Sequence, residues 1–356
     1  MADADIATRA PESDAQEDVQ QTPTPSAPAE DQQSSTEPAK MCDDCVTDRP
    51  TPTGQGPTGE IRKLNDIDVY VSKPSEYPHT SARLLLLLTG GTGLKSTNNQ
   101  IQADKFASEG YVVVMPDLFE GDEAPNSTTV DAGQAAAETT TSEGRSTSTT
   151  TGSSFLDTFK IKAAETAKSF MIDMWLARHT EEKVLPLLHK IIDGAKDEFA
   201  DAVSYGGGIY AVGYCFGARY VLLLGAERKP VAAGGFLGGG SAAAKPADEE
   251  AGADAASNGP HIKAGALAHA TLVSKDDFEG LKAPVSIVCV ENDPLFPDEV
   301  RKHGEDYLSK SNVEHEVQVY PGVPHGFAVV GDYNDLHIKE AQATAFEQML
   351  KWLQNH

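Results

Sequence analysis

Cys215, Asp293 and His325 are the residues of this chain whose types and surroundings best suit covalent chemistry. Cys215 is central to Gly213-Tyr214-Cys215-Phe216-Gly217. An apolar run, Ile209 to Val212, precedes it, and a helix-like run, Ala218 to Leu224, follows. Strand, sharp turn and helix make a nucleophile elbow, here with cysteine in the place usually held by serine. The flanking glycines fit a strained turn on which neighbouring side chains would clash. The start of the following helix adds partial positive charge, which favours thiolate over thiol.

Asp293 follows the apolar strand Val285 to Val290, and His325 follows the strand Val317 to Tyr320. The order nucleophile, acid, histidine is that of α/β-hydrolases and differs from other triad folds. The implied roles are nucleophile for Cys215, general base for His325 and orienting carboxylate for Asp293. The backbone N–H groups of Phe216 and of Gly91, in the glycine loop Thr89 to Gly93, would hold the oxyanion. A thiolate leaves more readily than an alkoxide or amide, so esters, lactones and thioesters are the expected substrates rather than peptides.

With these residues in view, the chain resembles the dienelactone hydrolase family, and within it the fungal-type members. The resemblance rests on Met41-Cys42-Asp43-Asp44-Cys45, Pro116-Asp117-Leu118-Phe119-Glu120-Gly121, the cysteine elbow, Asp293 and Pro324-His325-Gly326-Phe327. It implies one α/β-hydrolase domain over 41–356 that cleaves ester, lactone or enol-lactone bonds without a cofactor. Two positions depart from the family. An acidic residue that can hold the resting thiol is replaced by Gly90, and an arginine that can bind a substrate carboxylate is replaced by Val329 or Val330. A preference for uncharged acyl substrates is the consequence expected. Two other uses of the scaffold remain open at this point: a thioesterase or acyl-transfer enzyme, and a non-catalytic binding protein.

The elements that must position these residues alternate strand and helix, which predicts a mostly parallel sheet covered on both faces. Ile61 to Val71 reads as a hairpin. Leu84 to Leu88 and Tyr111 to Met115 read as strands buried on both faces. Val231 to Leu237 and Ala264 to Ala268 read as further strands. Helical spacing covers Asn98 to Glu109, Phe155 to Trp175, Glu181 to Phe199, Pro297 to Lys310 and Asp335 to Leu353.

The formal net charge of −25 over 356 residues argues against nucleic acid and anionic membrane surfaces as partners. Residues 1–40 hold nine acidic and two basic side chains and no aromatic one, the composition of a disordered tail. Low-complexity inserts are expected at 126–154 and 238–260. No signal peptide or membrane span is legible, and four cysteines do not make a disulfide framework. A cytoplasmic enzyme, monomeric or weakly dimeric, is expected. Cys42-x-x-Cys45 lacks a second cysteine pair, so no metal is expected. His269 reads as a packed histidine, with a place in the pocket lining as the other reading, and Arg219 as an ion-pair residue.

Overall fold

The computed structural model describes residues 41–125, 167–227 and 259–356. The expected tail 1–40, the insert 126–154, nearly all of the insert 238–260 and the strand expected at Val231 to Leu237 lie outside the described residues.

A short helix α1 (Asp43–Val46) precedes a hairpin, β1 (Glu60–Leu64) and β2 (Ile67–Ser72). Then come β3 (Arg83–Leu88), α2 (Thr97–Ser108) and β4 (Tyr111–Pro116). A helix α3 covers 167–178. It is followed by α4 (Glu181–Glu198), α5 (Ala200–Gly206), β5 (Ile209–Tyr214) and α6 (Phe216–Gly225). The chain closes with β6 (Ala264–Ala268), β7 (Val285–Val290), α7 (Asp298–Lys310), β8 (His315–Tyr320) and α8 (Leu336–Asn355). Among the described residues, eight strands form one sheet in the order β1-β2-β4-β3-β5-β6-β7-β8. β1, β2 and β4 pair antiparallel, and every pair from β4 through β8 is parallel.

The leucine run of β3 shows how the layers arise. Side chains alternate across a strand, so Leu84, Leu86 and Leu88 join one core with Ile191 of α4, Leu222 of α6 and Leu308 of α7. Leu85 and Leu87 join the other, with Phe106 of α2 and Phe346 and Met349 of α8. All five leucines are fully buried, each contributing roughly 1.5–3 kcal/mol. A sheet covered on both faces keeps its free ends for function. In such sheets ligands bind beyond the carboxyl ends of the strands, where the residues singled out by their chemistry also lie.

Two α-helices were not foreseen. α5 is a short continuation after Phe199, ended by Gly207 in the left-handed conformation. α1 is too short to show a period. Its backbone is fixed instead by packing, since a Cβ on Gly91 would meet the Cys45 carbonyl oxygen at 2.9 Å and the Met41 side chain at 3.0 Å. No helix among the described residues is long and apolar enough to cross a membrane.

Candidate active site

Cys215 sits between β5 and α6 with φ 50° and ψ −113°, a backbone state uncommon for a non-glycine residue. The neighbouring glycines make the turn possible. A Cβ on Gly217 would lie 2.3 Å from the Leu88 carbonyl oxygen, and one on Gly213 would lie 2.6 Å from the Gly217 oxygen. Backbone bonds hold the turn from both sides: Gly217 N–H donates to Thr89 O, Cys215 N–H to Ala268 O, and Thr271 N–H to Cys215 O.

Asp293 and His325 arrive from the ends of β7 and β8. Asp293 Oδ2 lies 2.7 Å from His325 Nδ1, and its Oδ1 accepts from Leu295 N–H at 3.0 Å. Both residues are buried. Nε2 of His325 therefore faces the nucleophile side, where it meets Thr271 Oγ1 at 3.2 Å. The same hydroxyl lies 3.3 Å from Cys215 Sγ. The structure brings the three sequence-chosen residues together and adds Thr271 between the thiol and the imidazole.

Electrostatics favour a thiolate–imidazolium pair. Burial by itself would raise the Cys215 thiol, but hydrogen bonds from Cys45, His325 and Thr271 and the charge of His325 outweigh it and hold the thiol well below its usual range. Burial would likewise lower His325, but the Asp293 carboxylate and the Cys215 sulfur push it up to about 10. Cys45 is the donor partner, since its bonds to Cys215 and Cys42 keep its own thiol protonated.

Gly90 supplies room. A Cβ there would come within 3.1 Å of Cys215 Cβ and 3.7 Å of Sγ. The thiol partner that an acidic side chain would have provided comes here from Cys45. Phe216 opens α6, and neither its N–H nor that of Gly91 is engaged by a hydrogen-bond partner among the described residues.

The enclosed space above the thiol is small, about 30 Å³, room for about two waters. Asp44, Cys45, Arg49, His269, Val329 and Tyr333 are among the lining residues. Arg49 is a cation among them. It is paired with Asp44 and stacks over the Tyr333 ring at 5.3 Å. His269 is buried as expected, but it lines the cavity beside His325, with ring centroids 5.0 Å apart. Neither of its ring nitrogens has a partner among the described residues, and burial together with the charge on His325 holds it neutral. Arg219 is the expected ion-pair residue, bidentate to Asp277 and bonded to Glu181.

Sequence reasoning missed Thr271, Cys45 and Arg49 as site residues. Thr271 had a faint signal, as a polar residue two positions beyond a strand-ending histidine. Arg49 had none, because only the path of the segment after α1 brings it here. Asn98 Nδ2 holds that segment at Arg49 O, and Asp332 N–H holds it at Pro50 O.

A mostly parallel sheet, a strained cysteine elbow and a carboxylate–histidine pair on the last two strands define an α/β-hydrolase fold. The chain belongs to the dienelactone hydrolase family, whose model matches residues 67–356, and this places it among the carboxylic ester hydrolases. Curated relatives include hydrolase pyvD of Aspergillus violaceofuscus, 26% identical over 84% of this chain and 90% of its own length. Hydrolase tropI of Talaromyces stipitatus is also 26% identical, over 84% of this chain and 91% of its own. Dienlactone hydrolase 1 of Gibberella moniliformis is 25% identical over 83% and 87%. A crystal structure of a putative dienelactone hydrolase from Klebsiella pneumoniae superposes with a TM-score of 0.54 at 14% identity, over 84% of this chain and 99% of the other. At that identity it speaks to the fold.

Proposed function

We propose that this protein hydrolyses esters, lactones or enol-lactones through an acyl-enzyme on Cys215, with His325 as acid and base and Asp293 as its orienting partner. The observation that carries the reading is the buried chain Cys215–Thr271–His325–Asp293 with contacts of 3.3, 3.2 and 2.7 Å. The thiolate attacks the carbonyl carbon, and its electron pair forms the carbon–sulfur bond. The carbonyl oxygen becomes an oxyanion held by the N–H groups of Phe216 and Gly91; losing one such donor typically costs about 3 kcal/mol. The adduct collapses, and the leaving alkoxide or enolate takes the proton of the His325 imidazolium. Neutral His325 then accepts a proton from water, and the hydroxide attacks the thioester. Cys215 leaves as thiolate and the imidazolium is restored.

The strained turn also supports this reading. A backbone outlier of this kind is kept where surrounding structure over-determines it, and such sites cluster at reactive centres. Three thiols gathered at one site suit a reducing compartment, and we infer a cytoplasmic setting. The domain reading, a single hydrolase unit over 41–356, is part of the same proposal.

The test is a stopped-flow assay with an activated aryl ester, followed by mass spectrometry of the quenched protein. A burst of phenolate and an acyl adduct on the peptide containing Cys215 are expected. Cys215→Ala should show neither, while keeping the native circular dichroism. A native-like rate in the alanine variant would exclude Cys215 as the nucleophile.

A further inference from the structure

Cys42 has no part in the hydrolytic cycle and Cys45 only supports the Cys215 thiolate, yet the fold carries both to its centre. Their sulfurs are 3.4 Å apart, because residues three apart share one side of the α1 turn. Cys42 Sγ, Cys45 Sγ and a ring nitrogen of His325 all lie within 4.8 Å of one another. The sequence offers no second cysteine pair to complete a metal site; the tertiary structure supplies an imidazole instead.

We propose that Cys42, Cys45 and His325 form a binding site for zinc or a similarly thiophilic divalent cation, its fourth position open towards Cys215, and that occupancy switches hydrolysis off. Zinc binds thiolate at about 2.3 Å and imidazole at about 2.0–2.1 Å in a tetrahedron. Donors so arranged stand roughly 3.5–3.8 Å apart by that geometry, so the two sulfurs at 3.4 Å need to part by a few tenths of an ångström and the imidazole, within 4.8 Å of both, to close by roughly 1.3 Å at most. The imidazole is already dressed for the task. Nδ1 is held by Asp293, which leaves Nε2 as the metal-facing atom, the carboxylate–histidine arrangement that orients metal-bound imidazoles. The two thiols suit a soft or borderline cation and not calcium or magnesium.

Coordination needs no redox partner. Cys42 and Cys45 each release one proton to solvent, the His325 imidazolium gives up its Nε2 proton to solvent as well, and two sulfur electron pairs and the nitrogen pair so freed form the bonds. The metal then occupies the Nε2 lone pair that hydrolysis requires. This last consequence rests on the function proposed above, whereas the site itself does not.

The experiment uses the full chain, reduced, treated with chelator and kept anaerobic. Titration with cobalt(II) should give a sulfur-to-metal charge-transfer band and the intense visible bands of tetrahedral cobalt, both lost when zinc is added. Equilibrium dialysis should find one zinc per chain, and no competition from calcium or magnesium. Aryl-ester turnover should fall in step with occupancy and return with chelator. Cys42→Ser should keep metal-free turnover and native circular dichroism. Its metal affinity should drop by more than the ten- to hundredfold typical of changes to residues behind the ligands. Absence of the charge-transfer band in the native protein overturns the site, whatever the variant does. An unchanged band in a folded Cys42→Ser protein also overturns it. A full band with turnover indifferent to occupancy refutes the switch. A protein with the band that never cleaves an ester refutes the hydrolase reading and leaves the metal site standing.

Discussion

Thr271→Val is the most revealing perturbation of the proposed reaction, because it removes one hydroxyl from between the two reacting groups and almost nothing else. Thr271 is fully buried, and valine occupies nearly the same space. In the thiolate–imidazolium state the hydroxyl accepts from His325 Nε2–H and donates its one proton to Cys215 sulfur, consistent with contacts of 3.2 and 3.3 Å. Both bonds involve a charged group, and such bonds contribute about 1.5–3 kcal/mol each. The thiolate keeps two other partners, Cys45 and His325, so the loss should fall at the lower end. A loss of about 1.4 kcal/mol corresponds to roughly one pKa unit on the thiol and a tenfold smaller thiolate population below that pKa. The assay is the rate of Cys215 alkylation by iodoacetamide from pH 4 upward, alongside kcat/KM for an aryl ester. The variant should be about tenfold slower in both on the acidic limb, and the two alkylation curves should meet at high pH, where the thiol is ionised regardless. Superimposable acidic limbs would show that the hydroxyl does not support the thiolate. A uniform loss at every pH would show that it acts through packing instead.

The other predictions concern pH, the elbow and the cation. Cys215 is held well below its usual range and His325 is pushed up to about 10, so kcat/KM should stay level through neutrality and fall as pH rises through about 10, where the proton for the leaving group is lost. The two groups titrate as a pair; a rate that instead climbs through pH 9 to a plateau would exclude the ion pair. Gly217→Ala should lower both Tm and ester turnover, because its Cβ would sit 2.3 Å from the Leu88 carbonyl oxygen and overpacking typically costs about 1–3 kcal/mol; calorimetry and the ester assay check this, and a native Tm would contradict the clash. The native enzyme should favour a methyl ester over the free carboxylate of the same lactone, since Arg49 is already paired with Asp44. Asp44→Asn should narrow that gap by about tenfold, the scale of one charge-assisted bond, as read from the ratio of the two kcat/KM values.

Features that arise from local sterics and hydrophobic period are legible in the residues alone. Glycines at 213 and 217 announced a turn that tolerates no side chain, and the structure shows what those side chains would strike. The unbroken leucine run of β3 announced a strand buried on both faces. The order Cys215, Asp293, His325, each just past a strand, was enough to bring these residues to one edge, because parallel strands all present their carboxyl ends on the same side. The tertiary structure alone decided which other side chains meet them there. Thr271 enters because β6 lies beside β5 and Thr271 N–H bonds Cys215 O. Cys42, Cys45 and Arg49 enter because the segment after residue 40 folds back over Gly91 and Gly326, where added Cβ atoms would meet Cys45 O and Asp44 O. These are contacts between residues far apart in the chain, set by topology and packing. No local period or spacing encodes them, so a lone Cys-x-x-Cys read as half a site until the fold set His325 beside it.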